Sequence, residues 1–158
     1  MNTLIVYASR YGTTAECAHM LSEKIQGTVT LCNLEQTPTV DLTSYETIVV
    51  GGPIYAGRLH KRVKQFCRDQ EARLLEKRLG LFVCGMEEGE GSNRQLSNNY
   101  SPALFERAIV KESFGGQFLF SNMGCFTRKM IKLMSKTDED VKKLRLDVID
   151  KFAEKINA

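Results

Sequence analysis

Apolar residues fall along this chain in short unbroken blocks, with glycines and polar residues between them. Thr3 to Ala8 ("TLIVYA"), Thr47 to Gly52 ("TIVVGG") and Gly80 to Gly85 ("GLFVCG") read as strands covered on both faces, the near-continuous apolar pattern of a parallel sheet. Thr28 to Asn33 is a shorter β-rich run, followed by a connection over Thr37 to Thr43 that Pro38 punctuates, and Phe114 to Phe120 predicts a further strand. Between the blocks the period changes to that of a helix. Ala15, Ala18, Leu21 and Ile25 recur at helical spacing, and Leu59 to Gln70 places Val63, Phe66 and Cys67 on one side, away from Lys61, Arg62, Lys64 and Arg68. Ser101 and Pro102 form an N-cap and a first helical position, with Leu104, Phe105, Ala108 and Ile109 facing inward. A last helix is predicted to open at Thr137, with Asp138, Glu139 and Asp140 in its first turn and Val141, Leu144, Val148, Phe152 and Ile156 as its buried stripe. Strands and helices alternate, which predicts an α/β fold: a doubly wound, five-stranded parallel sheet with helices on both faces, in three layers.

Composition adds limits. A chain of 158 residues, 42% hydrophobic and 26% charged, suits one domain over 1–158. The net charge of +3 is too mild to suggest nucleic acid as a partner. No basic segment followed by a long apolar run opens the sequence, and no apolar stretch is long enough to span a bilayer, so a cytoplasmic protein is expected. The five cysteines, Cys17, Cys32, Cys67, Cys84 and Cys125, include no C-x-x-C pair and predict buried thiols rather than a disulfide frame or a zinc site.

In a sheet of this kind ligands bind beyond the carboxyl ends of the strands, which directs attention to three loops. After the first strand comes "SRYGTT": Ser9, Arg10, Tyr11, Gly12, Thr13 and Thr14 can surround a phosphate with amides and hydroxyls at the positive end of a helix. An ordinary helix cap uses the same residue types. No Lys follows the glycine and no three-glycine fingerprint is present, which disfavours ATP and NAD. After Gly52 comes "PIYAGRLHK", where Tyr55 offers a flat face that can stack on a ring. The third loop, Cys84 to Gln95, carries Gly85, Gly89 and Gly91 and can pass backbone groups along a ring edge, or it is a solvated surface loop.

Together, Ser9-x-x-Gly12-x-Thr14, "GGPIYAG" and the glycine-rich third loop resemble the flavodoxin-like FMN proteins over nearly the whole chain. The resemblance implies strand order 2-1-3-4-5 and FMN as cofactor. It places the ribityl phosphate on Ser9, Arg10, Gly12, Thr13 and Thr14, the isoalloxazine along Pro53, Ile54, Tyr55, Ala56 and Gly57 with Tyr55 near its face, and its other edge on Cys84, Gly85, Met86, Gly89 and Gly91. Family flavodoxins usually have Thr where this chain has Tyr11, so the bulkier side chain is expected to turn outward.

The segment Ser121 to Lys136 sharpens that resemblance. At helical spacing Met123, Phe126, Met130, Ile131, Leu133 and Met134 share one side, with Arg128, Lys129, Lys132 and Lys136 on the other. Such a stretch suits an anionic membrane surface or an apolar substrate, and equally a helix packed on the sheet edge. With "GRLHK" it resembles the menaquinone-dependent protoporphyrinogen oxidases, in which FMN takes electrons from a porphyrinogen, in haem biosynthesis, and passes them to a membrane quinone. That resemblance implies a protein peripheral at the inner membrane surface through Met123 to Lys136. Arg58 and His60 are the candidate catalytic residues, for pairing with substrate carboxylates or relaying a proton. The alternative is a soluble electron shuttle to redox protein partners, against which stand the basic balance and the absence of tryptophan. A flavodoxin-like NAD(P)H quinone reductase is the weaker third reading, since no nicotinamide site is evident.

Overall fold

The computed structural model of the protein describes residues 1–118 and 141–158. Strand β1 (Asn2–Tyr7) leads through α1 (Thr13–Lys24), β2 (Thr28–Asn33), β3 (Thr47–Tyr55) and the two-residue β4 (Arg58–Leu59) into α2 (Lys61–Leu74). Then follow β5 (Arg78–Cys84), α3 (Glu90–Asn99), α4 (Pro102–Arg107), β6 (Val110–Ser113), β7 (Gly115–Phe118), β8 (Val141–Leu144) and α5 (Leu146–Asn157). Five strands pair in parallel in the order β2-β1-β3-β5-β6, the doubly wound arrangement that the alternation of elements predicts.

The period of two along each central strand divides the core into two layers. Leu4, Val6, Ile48, Val50, Leu79, Leu81 and Val83 meet Val63, Phe66 and Leu74 of α2, Leu96 of α3 and Leu104 of α4. Ile5, Tyr7, Val49 and Phe82 meet Cys17, Ala18 and Leu21 of α1 and Ile149, Phe152 and Ile156 of α5. Each large side chain so buried contributes about 1.5–3 kcal/mol, so the fold is held at the middle of the sheet. In the second layer Phe82 stacks on Phe114 with ring centroids 4.5 Å apart, and Phe152 meets Phe114 edge-on at 5.1 Å. Gly51 makes room for this cluster, since a Cβ there would lie 2.1 Å from the tip of the Phe82 ring.

Several boundaries differ from those the sequence predicts. The fifth parallel strand is Val110–Ser113, not Phe114 to Phe120: Val110 pairs with Gly80 and Ser113 with Val83, while Gly115–Phe118 pairs antiparallel with Val141–Leu144 in a separate sheet. An edge strand of a parallel sheet has one neighbour only, and "VKES" alternates too weakly to compete with the aromatic run that follows. Helix α4 stops at Arg107, so Ala108 is buried by its place in the chain rather than by helical period, and Ile109 is exposed. Helix α2 starts at Lys61 because Arg58 and Leu59 pair back on Tyr55 and Ile54. Residues Glu90 to Gln95, predicted as loop, are helical in α3, whose buried residues are Ser92 and Leu96, too few to show a period. Val141 and Leu144 belong to β8, and the last helix begins at Leu146 with Ile149, Phe152, Ala153 and Ile156 buried. Cys17, Cys32, Cys67 and Cys84 are buried free thiols. The predicted Ser121 to Lys136 stretch, Cys125, and Thr137 to Asp140 lie outside the described residues. Among the described residues no helix is long and apolar enough to cross a membrane.

Candidate functional site

From β1 the chain steps outward to β2 and then returns to the other side of β1 for β3, β5 and β6. The loops after β1 and β3 therefore diverge at the carboxyl edge, and ligands bind in such a crevice; this strand order is itself a standard example of that rule.

The first wall is the turn into α1. Gly12, at φ 97°, lies in the left-handed region that favours glycine, and a Cβ there would meet nothing within 4 Å, so the turn is open on that side. The Ser9 hydroxyl oxygen accepts from the amides of Gly12 and Ala15, both at 3.2 Å, which holds the turn closed and leaves its O–H free to donate. Thr14 is buried and its hydroxyl has no hydrogen-bond partner. An unpartnered buried hydroxyl is destabilising by about 1–3 kcal/mol, which a folded chain accepts most readily where a ligand completes the bond. The first-turn amides of α1 have no intrahelical acceptors either, and the positive end of the helix favours an anion. The residues present therefore fit a phosphate.

The second wall is a β-hairpin. Ile54 pairs with Leu59 and Tyr55 with Arg58, and the two residues between them, Ala56 (φ 49°) and Gly57 (φ 76°), both have positive φ, as a tight hairpin turn requires. Tyr55 is half-buried and Tyr11 meets it edge-on at 5.8 Å, so Tyr11 turns across the crevice rather than outward as expected. The Arg10 guanidinium lies 5.7 Å from the Tyr11 ring and 5.9 Å from the Tyr55 ring, a cation–π arrangement that holds the three side chains together. Burial, and then the neighbouring Tyr11, raise the Tyr55 phenol above its ordinary range, and Arg10 partly opposes this. Tyr55 stays neutral.

The third loop lies behind the hairpin. The Gly85 amide donates to the Gly115 carbonyl oxygen at 2.9 Å, and a Cβ on Gly85 would lie 2.7 Å from Gln95 Oε1, a buried acceptor without a hydrogen-bond partner. Sequence reasoning missed Gln95, which stands among polar neighbours with no signal to mark it. The expected edge also shrinks. The Cys84 side chain is buried in the α1 core layer, and Gly91 lies within α3, leaving Gly85, Met86 and Gly89 in the loop itself.

Beside Tyr55 opens a cleft of about 680 Å³ lined by Arg10, Arg58, Lys61 and Arg62 and by one acid, Glu35, which the Arg62 guanidinium meets at 3.4 Å. Arg58 is exposed at the hairpin end. His60 has both ring nitrogens engaged: Nδ1 accepts from the Arg62 amide at 3.1 Å as the N-cap of α2, and Nε2 bonds Glu35 at 2.7 Å. Burial lowers its pKa, and Glu35 partly restores it. In this arrangement His60 shapes the cleft floor.

The model for a flavodoxin domain matches residues 4–144, well over half of the chain. The chain belongs to that family. FMN is its cofactor, and the protein is a redox flavoprotein. No curated protein sequence matches it. Among solved structures it is similar to flavodoxin 2 from Bacillus cereus, at 18% identity and a TM-score of 0.63, covering 99% of this chain and 97% of that one. A short-chain flavodoxin associated with a PDU bacterial microcompartment gives 15% identity and 0.63 over 99% and 96%. The flavodiiron core from Synechocystis gives 18% and 0.58 over 99% of this chain but 36% of that one. At these identities the likeness is one of fold.

Proposed function

We propose that this flavodoxin-domain protein oxidises a carboxylate-bearing, porphyrinogen-like substrate through FMN and passes the electrons to a quinone, as its resemblance to menaquinone-dependent protoporphyrinogen oxidases implies. The observation that supports this reading is the cleft beside Tyr55, whose lining carries Arg10, Arg58 and Lys61 together with Arg62, the last already paired with the one acid there, Glu35. Carboxylates on a flat apolar body match such a rim, since guanidinium groups pair with them bidentately. Bound flavin supplies one- and two-electron chemistry at the ring, so the protein's part is to bind, orient and exclude. The residues of the first turn hold the phosphate, Tyr55 and the hairpin flank the ring, Arg58 meets the substrate, and the engaged His60 holds the rim in place. The basic stretch Met123 to Lys136 would bring the protein to the inner membrane surface.

A second reading is a shuttle that hands electrons to a protein partner. What supports it is the exposure of the hairpin tip, Ala56 to Arg58, which leaves that side of the crevice open to another protein's surface. One anaerobic experiment separates the two. FMN-loaded protein is mixed with protoporphyrinogen IX and a menaquinone analogue while porphyrin fluorescence is followed. Fluorescence that rises only with flavin and quinone together supports the oxidase. A flat trace with flavin bound would leave the shuttle.

A further inference from the structure

The hairpin that walls the crevice is too short to hold itself. Its second strand has two residues, its turn places a non-glycine residue, Ala56, at φ 49°, and an isolated two-stranded hairpin is marginal at best in water. Within the hairpin's own chain, the His60 amide donates to the Pro53 carbonyl oxygen at 3.0 Å and the Leu59 side chain is buried. Among the described residues, the side-chain hydrogen bonds that reach the turn and β4 from another element come from Asn99. Asn99, the last residue of α3, accepts from the Leu59 amide through Oδ1 at 2.9 Å and donates through Nδ2 to the Gly57 carbonyl oxygen at 3.0 Å. The same Nδ2 donates to the Gln95 carbonyl oxygen at 2.8 Å, which locks the amide to its own helix. Helix α3 starts directly after Gly89, so it also ends the third loop, and Gln95 from the same helix packs against Gly85. One helix thus touches both the hairpin and the third loop.

We propose that Asn99 is a positioning residue for the flavin ring: it clamps the Ala56–Gly57 turn in its strained form and fixes the spacing between the hairpin and the third loop. This rests on the FMN reading of the crevice. In this role Asn99 acts through the hairpin backbone. Its amide is suited to the task because it presents a donor and an acceptor at once, one for the carbonyl of the turn and one for the amide of β4.

Two variants test it. Asn99→Ala removes both bonds, whereas Asn99→Asp keeps an acceptor for the Leu59 amide and sets a carboxylate oxygen against the Gly57 carbonyl. Amide hydrogen exchange without cofactor, FMN and riboflavin dissociation constants, and the visible circular dichroism of bound flavin are measured for each. Exchange at Gly57 to Leu59 is expected to rise in Asn99→Ala while that of the Ser9 to Thr14 turn stays unchanged. FMN and riboflavin are expected to weaken together, by about tenfold, because the ring seat and not the phosphate seat has loosened. Asn99→Asp should show an intermediate exchange rate and an altered flavin dichroism. Variants that bind both flavins as the parent does, with unchanged dichroism, would overturn the proposal even if the hairpin exchanges faster. A parent protein that binds no FMN would overturn the cofactor reading and this proposal with it, and that result is separate because it appears before any variant is made.

Discussion

The two walls of the crevice are built on opposite plans. The turn from Ser9 to Thr14 leaves hydrogen-bonding capacity open: the Thr14 hydroxyl is buried without a partner, and the Ser9 hydroxyl braces its own backbone with its proton unassigned. In the hairpin from Pro53 to His60 the backbone is braced from within the protein, with the Gly57 carbonyl and Leu59 amide on Asn99 and the His60 amide on Pro53. One wall leaves room for a charged ligand to complete its bonds, and the other holds its shape without one. Stability is given up where a phosphate can restore it, and conserved in hydrogen bonds where a flat aromatic system can restore little.

The largest expected effect lies beneath both walls. Gly51→Ala forces a methyl group into the Phe82 ring, which stacks on Phe114, and is expected to destabilise the fold by about 3 kcal/mol in urea denaturation. A smaller loss would mean that the aromatic cluster yields and that the second core layer does not fix the hairpin's root. Next is Thr14→Val, which should move two quantities in opposite directions. Removing a buried unsatisfied hydroxyl is expected to stabilise the cofactor-free protein by about 1 kcal/mol, and FMN affinity should fall by roughly tenfold to a hundredfold with the lost charge-assisted bond. Loss of stability together with unchanged affinity would make the turn a simple cap.

The pH dependence bears on the second wall. The folded pKa of His60 lies below its ordinary 6.5, so the unfolded chain takes up the proton first. Its contribution is fully present above pH 6.5 and is lost as the pH falls below that value, when a protonated Nδ1 can no longer accept from the Arg62 amide. Asp41, whose carboxyl is held below its ordinary 3.8 by Thr43, acts only in a separate and more acidic window. His60→Asn keeps an N-cap acceptor and should flatten the stability profile between pH 7 and 5, a change read by thermal melts across that range. The smallest effect is Ala56→Gly, which removes the positive-φ strain while adding freedom to the unfolded chain. A gain of about 0.5 kcal/mol is expected, and a loss would show that the turn carries no strain.

The contrast between the walls also explains what the sequence reveals. The first wall is legible because its chemistry is local: a strand of consecutive apolar residues, then Ser9, Gly12 and Thr14 within six positions, then a helical period beginning at Ala15. Tyr11, expected to turn outward, meets Tyr55 instead, a partner from another loop that nothing local announces. The second wall depends on a distant amide. Asn99 ends a helix, "EGSNRQLSNN", in which Leu96 is the one buried apolar residue, so neither the helix nor its role emerges from periodicity. Strand β3 is expected to end at Gly52, since glycines and Pro53 look like a turn, yet it continues to Tyr55, with Gly52 and Pro53 paired to Val83 and Cys84 of β5. His60, expected to pair with a substrate carboxylate or relay a proton, is engaged as a helix cap by the Arg62 amide and as a partner of Glu35.

The central claim is that the crevice between the loops after β1 and β3 binds FMN, with the phosphate on the Ser9 to Thr14 turn. The most direct test is a paired fluorescence titration of the cofactor-free protein with FMN and with riboflavin, which differ by the phosphate alone. FMN is predicted to bind more tightly by at least tenfold, with Thr14→Val removing most of that difference. Equal affinity for the two flavins, unaltered in Thr14→Val, would contradict the claim.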